Sequence, residues 1–426
     1  MSKKERKILG PVELTDMAYG GEAVGRHDGM VLFVTGGVPG DVVNVDVTIS
    51  KKSFVRGHVV EVLKPSELRA AAPCPYFGSC GGCQWQNVRY QEQLNIKRHL
   101  VTEAFQRIGH LEAEVQPVLG MEDPWHYRNT MEFGFTYEGE PGLRRTRGHR
   151  IVPIQECLIS RPEINETLEL LWDLITREKL AEILPNNAFV RVGDIFPGVV
   201  VGLFGHGEWP EITERMVQAR PDLIAGAVQR KGRGSEKGRT LFGKDYTEHI
   251  LLGKQYRAGI ASFFQVNPTQ VERLIETALA WLEPRPNEVI LDAYSGVGTF
   301  TLQLAEKVME IIAVEASPSA NADAKMNASK WQSIRLVEGN FGEVELLVDR
   351  VDGVVIDPPR AGCSPEALET LTRLAPGRIV YVSCDPTTLA RDAGLLVAAG
   401  YRLGQVQPVD LFPQTYHVET VALFTK

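Results

Sequence analysis

The sequence predicts an α/β protein in three parts, and three observations carry that prediction. After residue 285, strand-like runs alternate with helix-like ones, the rhythm of a doubly wound, Rossmann-like parallel sheet. Residues 11–63 instead alternate apolar and polar residues in short runs between glycine turns, the pattern of a small OB-like antiparallel barrel. Between them lies a mixed α+β stretch with neither an internal repeat nor a low-complexity tract. The parts run from 1 to 63, 64 to 259 and 260 to 426, and 426 residues are enough for two or three domains.

In the first part, "MVLFVTG", "DVVNVDVTIS" and "RGHVVEVLK" read as strands separated by "YGGEAVGRHDG" and "GGVPGD". "YQEQLNIKRHLVTEAFQRIGH" (90–110) has apolar residues at helical spacing and ends near Gly109. From 125 to about 250 the strands "TMEFGFTY" and "PGVVVGLF" surround a helix near "NETLELLWDLITREKL". The last part offers the strands "EVILDAY", "EIIAVEA", "SIRLVEG", "VDGVVIDPP" and "RIVYVSC". Helices alternate with them, beginning near "GTFTLQLAEK", "SPSANADAKMNASK", "EVELLVD", "SPEALETLTRLA" and, after the last strand, "PTTLARDAGLLVAAG". "YRLGQVQPVDLF" and "HVETVALFTK" have no helix between them, so an antiparallel hairpin closes the sheet.

Hydrophobic residues at 43% and charged residues at 23% are ordinary for a globular protein, and no apolar run is long enough to span a membrane. "MSKKERKILG" has no apolar stretch behind its basic residues, so a cytoplasmic location without a signal peptide is expected. A net charge of −8 argues mildly against nucleic acid as a partner. Three basic clusters argue the other way: Lys51-Lys52 with Arg56, "GLRRTRGHR" (142–150) and "RKGRGSEKGR" (230–239).

Four residue patterns carry chemistry. In "ILDAYSGVGTFTLQLA", Gly296 and Gly298 let the backbone pass close to a ligand, and Thr301 stands where a dinucleotide fingerprint needs a third glycine. Glu315 follows about twenty residues later, where a carboxylate can accept ribose hydroxyl protons. That combination suits S-adenosylmethionine better than NAD. "VVIDPPR" carries Arg360 where amino-methylating enzymes have an aromatic, and Cys363 beyond it reads as inert. Cys384 ends the fifth strand on the edge where ligands bind, either as a buried thiol or as a nucleophile. A thiolate attacking C6 of uracil makes C5 reactive, and a base must then remove the C5 proton; Glu419 in "HVETVALF" can supply it. Finally, Cys74, Cys80, Cys83 and the distant Cys157 are enough for zinc or an iron–sulfur cluster, and their spacing does not choose between the two. Tyr76, Phe77 and Trp85 beside them suit either an RNA-facing surface or buried packing.

Taken together, these residues resemble the RNA (uracil-C5)-methyltransferases, in particular the bacterial RlmD (RumA) type, over nearly the whole chain. "GEAVGRHDGMVLFVTGGVPGDVVNV" resembles the TRAM domain of that family, and "CPYFGSCGGCQWQ" with "QECLIS" its cluster site. "ASFFQVNPTQ", "LDAYSGVGTFTL", "IDPPRAG" and "VSCDPTTLARD" resemble its catalytic motifs. The resemblance implies S-adenosylmethionine as cofactor at Gln265, Tyr294, Glu315, Asn340 and Asp357. It implies Cys384 as nucleophile, Glu419 as base, and a structural [4Fe–4S] cluster on Cys74, Cys80, Cys83 and Cys157. Ser295 departs from the cysteine that many members carry. The expected product is 5-methyluridine in RNA. Ribosomal RNA is the expected partner, with transfer RNA as the alternative substrate and a non-catalytic RNA-binding or assembly factor as the rival function. A monomer with no membrane and no obligate protein partner is expected.

Overall fold

A computed structural model of the chain describes every residue except 1–6, 147, 179–184, 206–208, 231–237, 344–347 and 349. Five strands, β1 (Ile8–Met17), β2 (Ala23–His27), β3 (Met30–Thr35), β4 (Val42–Ser50) and β5 (Phe54–Lys64), close into the expected barrel in the order β1-β2-β3-β5-β4. Alternation sends Val12, Leu14, Leu32, Val34, Val43 and Val45 inward. The barrel does not fill its core alone: Trp85, Val88 and Leu100 from beyond its last strand join the same apolar cluster.

Helix α1 (Tyr90–Ala104) runs on through one π turn to Gly109, as the periodicity predicts. The short β6 (Glu114–Val115) follows. Both precede the C-terminal part in sequence but pack into it, for Val101, Ala104, Phe105 and Val115 lie in the core of its sheet.

The middle of the chain builds a seven-stranded sheet from β7 (Thr130–Phe135), β8 (Pro141–Arg144), β9 (Ile151–Pro153), β10 (Asn187–Val192), β11 (Val199–Phe204), β12 (Ile224–Arg230) and β13 (Arg239–Gly243). Its order is β13-β12-β11-β10-β7-β8-β9, and helices α2 (Pro162–Glu178) and α3 (Pro210–Ala219) cover it. A hairpin, β14 (Tyr246–Leu251) and β15 (Lys254–Gly259), leads to α4 (Pro268–Leu282), which Asn267 caps.

All five predicted C-terminal strands form: β16 (Val289–Ala293), β17 (Glu310–Glu315), β18 (Ile334–Glu338), β19 (Gly353–Ile356) and β20 (Arg378–Ser383). Between them lie α5 (Thr301–Leu304), α6 (Pro318–Ala328) and α7 (Pro365–Leu374). Beyond them come α8 (Pro386–Ala398), β21 (Arg402–Val409) and β22 (Glu419–Thr425). Helix α5 is only four residues long, shorter than its apolar pattern suggests. The helix read at "EVELLVD" falls largely outside the described residues. The sheet runs β18-β17-β16-β19-β20-β22-β21-β6, so strand order reverses at β16, the switch point where such sheets bind ligands. β22 inserts antiparallel between β20 and β21, which is the closing hairpin expected. Among the described residues no helix is long and apolar enough to cross a membrane.

Candidate active site

Register brings the thiol and the carboxylate together. Ser383 at the end of β20 pairs with Thr420 on antiparallel β22, so Cys384 and Glu419, one residue further along, face each other at the carboxyl edge of the sheet. On the other side of β20, Ile356 of β19 pairs with Tyr381, and Asp357 follows at the same edge. Cys384 is held in a short turn: the Ser383 hydroxyl donates to the Asp385 carbonyl at 3.0 Å, and the Asp385 carboxylate caps α8 by accepting from the Thr387 N–H at 2.9 Å. Cys384 is half-buried and Glu419 is buried.

These groups feel one another's charge. Burial pushes the Cys384 thiol up to about 12, Glu419 and Asp357 add to the rise, and Arg360 opposes it. Burial, and then Asp357, hold the Glu419 carboxyl well above the usual carboxylate range. Asp357 itself is pushed up to about 7 by burial and then by Asp292. Burial and the neighbouring carboxylates thus favour the neutral forms of the Cys384 thiol and the Glu419 carboxyl, and Arg360 favours the thiolate. Cys363, by contrast, is buried against Tyr381, its Sγ 3.5 Å from the phenol oxygen, in line with an inert thiol.

At the switch point Glu315 accepts from the Gly296 N–H at 2.8 Å and from the Ser317 N–H at 2.6 Å, tying the glycine turn to the end of β17. Gly296 has φ +56° and open space where a side chain would stand, so the turn forms a cradle. One oxygen of buried Asp292 has no partner there. Tyr294 adopts φ +63° and meets Phe341 edge-on at 5.9 Å. A cradle bounded by a carboxylate with spare lone pairs fits a ribose-bearing cofactor. Gln265 is half-buried, its carbonyl accepting from Asn129 at 3.2 Å, and Asn340 is exposed with its amide on Glu343 at 2.9 Å.

The four remaining cysteines line one small cavity of about 40 Å³ with Tyr76, Phe77 and Met131, although Cys157 is far away in sequence. Burial raises the thiols of Cys74, Cys80 and Cys83, and Cys157 raises each further. Among the described residues no three His, Cys, Asp or Glu converge closely enough to hold one metal ion. Trp85 is buried, so packing is the correct reading for that ring.

Sequence reasoning missed what surrounds Cys384. Tyr19 from the barrel donates to the Cys384 carbonyl at 3.4 Å, Tyr416 meets Tyr19 edge-on at 5.5 Å, and His417 lies 4.1 Å from Tyr416. No local signal marks these partners. Phe263, 72% exposed beside Gln265, could have been found as the outer member of the "FFQ" pair. Next to Tyr416, a groove of about 550 Å³ is lined by Gly20, Gln84, Arg128, Arg144 and Arg145. A second, of about 580 Å³, runs between Thr48 and His58 of the barrel and Arg145 and Arg150. The 142–150 cluster thus borders both grooves, whereas most of the 230–239 cluster lies outside the described residues.

The sheet order and its switch-point cradle define a Rossmann-like methyltransferase, and comparison with known proteins narrows that class. The model of the tRNA (uracil-5-)-methyltransferase family matches residues 89–344 and 340–426, and the TRAM domain model matches residues 10–60. An uncharacterized RNA methyltransferase of Clostridium tetani is 35% identical, over 97% of this chain and 95% of its own. One from Halalkalibacterium halodurans is also 35% identical, over 99% of both chains. Among solved structures, Pyrococcus abyssi tRNA (uracil-54, C5)-methyltransferase in complex with S-adenosyl-L-homocysteine superposes with a TM-score of 0.77 at 27% identity, covering 97% of this chain and all of that one. The chain belongs to the tRNA (uracil-5-)-methyltransferase family: it is an S-adenosylmethionine-dependent RNA (uracil-5-)-methyltransferase with an N-terminal TRAM barrel.

Proposed function

We propose that the chain makes 5-methyluridine through a covalent adduct on Cys384, with Glu419 as the base. The opposition of these two residues across the paired strands β20 and β22 carries the reading. As uracil docks, the Cys384 thiol gives its proton to solvent, its sulfur bonds to C6, and the electron pair of the C5=C6 bond moves to C5. Bound S-adenosylmethionine supplies an electrophilic methyl group to that carbon. Glu419, once its own proton has left to solvent, takes the C5 proton as carboxylate, the C5=C6 bond re-forms, and the sulfur leaves as thiolate. Gln265, Tyr294, Glu315, Asn340 and Asp357 hold the cofactor in this reading, which the cradle at Gly296 and the Glu315 carboxylate support.

Cys74, Cys80, Cys83 and Cys157 hold a [4Fe–4S] cluster in a structural role. Four thiols lining one small, largely apolar cavity, with Cys157 brought in from far along the chain, support that reading. The substrate is ribosomal RNA, as the resemblance to the RlmD type implies, and the protein acts as a monomer. Transfer RNA is the second reading, favoured by the archaeal neighbour, whose name specifies it and which matches along the whole chain. Mapping 5-methyluridine in separated ribosomal and transfer RNA, from cells with and without the gene, decides between them. Loss of the mark from ribosomal RNA is expected; loss from transfer RNA alone would overturn the first reading. RNA carrying 5-fluorouridine at the mapped site should trap the protein covalently, because fluorine does not leave as a proton does.

A further inference from the structure

The turn between β1 and β2 of the barrel packs inward against the rest of the protein. A backbone bond from Ala18 to Glu22 closes it at 2.8 Å. Gly21, at φ +86°, lies so close to its neighbours that a Cβ there would stand 3.1 Å from Tyr416 and 3.2 Å from Gln84. The Trp85 indole donates to the Gly21 carbonyl across 3.4 Å. At the tip, the half-buried Tyr19 donates its hydroxyl proton to the Cys384 carbonyl at 3.4 Å and lies within hydrogen-bonding reach of Asp385 and Arg360. Its ring meets Tyr416, three residues before Glu419. One barrel residue therefore touches both the turn that carries Cys384 and the segment that enters the Glu419 strand. Trp85, Val88 and Leu100 in the barrel core keep this tip from swinging as a tethered module would.

We propose that the barrel completes the catalytic pocket, with Tyr19 as a positioning residue that fixes the Ser383–Asp385 turn and walls the site beside Cys384. The inference rests on the reading of Cys384 and Glu419 given above. A thiolate must approach C6 along a narrow line, and the turn that aims it is short. Contact with its carbonyl from outside the sheet removes freedom that β20 and α8 leave to it. The barrel is then part of the machinery that transfers the methyl group as well as a surface for RNA.

The test measures kcat and KM for RNA with full-length variants. Bulk RNA from a strain lacking the gene serves as acceptor, with a tritiated methyl donor. Tyr19→Ala should lower kcat at saturating RNA by roughly tenfold or more while cofactor affinity and melting temperature hold. Tyr19→Phe keeps the ring but loses the hydroxyl that holds the Cys384 carbonyl, so it should also be slow, by less than the alanine variant; a wild-type kcat in it would overturn the role of that hydroxyl. Tyr19→Leu keeps the bulk and replaces the alanine variant if that one melts early; it should be as slow. A wild-type kcat in the Ala and Leu variants, with or without a raised KM for RNA, would overturn the proposal and leave the tip as an RNA contact at most. Cys384→Ala run alongside separates the two claims. If it still turns over, the reading of the site has failed; if it is dead while the Tyr19 variants are normal, only the present inference has.

Discussion

The protein has two centres built on cysteine, and burial treats their sulfurs alike: the thiols of Cys384 and Cys83 are both pushed up to about 12. The neighbours differ. Around Cys83 the other nearby charges belong to fellow cysteines, Cys157, Cys80 and Cys74, inside one enclosed cavity. Around Cys384 they belong to Glu419, Asp357, Asp385 and Arg360, at a half-buried position on the edge of a sheet. Thiols that raise one another need a shared cation to ionise together. A lone thiol beside an arginine, at a half-buried position open to solvent, can ionise when a substrate arrives. On the reading proposed above, the same elevation accompanies binding in one place and reaction in the other.

Breaking the reactive centre should give the largest effect. Cys384→Ala should reduce methyl transfer below about one-thousandth of wild type, since the proposed route needs its sulfur to form the C6 bond. Cofactor binding, followed by calorimetry, should be unchanged. Activity above that level would dissolve the contrast between the two centres. Glu419→Gln should spare adduct formation and block its resolution, so a protein–RNA band that resolves slowly should appear on denaturing gels with normal RNA. Turnover near wild type without such a band would remove Glu419 from the mechanism.

The contrast also shows what the chain discloses by itself. The C-terminal strands were legible because each is a local apolar run, and Cys384 was legible because a strand visibly stops there. The four cysteines were legible as a set by count. Glu419 reads as the base from the last strand and from the family resemblance, but its place opposite Cys384 was not legible. Glu419 comes opposite it only because β22 inserts between β20 and β21, a matter of sheet order. Tyr19 reaches Cys384 from 365 positions away in sequence. Lys97 and Asp410, a fully buried pair with their atoms 2.5 Å apart, are separated by 313 positions, and neither carries a local sign of the other.

Smaller effects should sharpen the comparison at the second centre. Cys157→Ser should abolish or weaken iron retention in anaerobically purified protein, read by absorbance and metal analysis. It should leave cofactor affinity within about twofold, because the switch point belongs to another sheet. Zinc in place of iron in the wild-type protein would count against the cluster. The smallest effect is the rate of Cys384 alkylation by iodoacetamide without RNA, resolved by peptide mass. Because its thiol is raised, little thiolate is present at pH 7. The rate should climb roughly tenfold per pH unit from 7 to 9 with no plateau. A plateau below pH 8 would show a thiol already activated in the resting protein.

The cluster of Trp85, Val88 and Leu100 with the barrel strands bears on how such a protein is inherited. The TRAM model ends at residue 60, which invites the picture of a cassette that recombination could add or remove at a linker. A breakpoint there would cut through a shared interior. The recipient would be left with an indole and two aliphatic side chains facing water, and the donated barrel with an unfilled centre. Gain or loss of the barrel therefore requires matched change in residues 85–100, so the two segments should pass from ancestor to descendant as one unit.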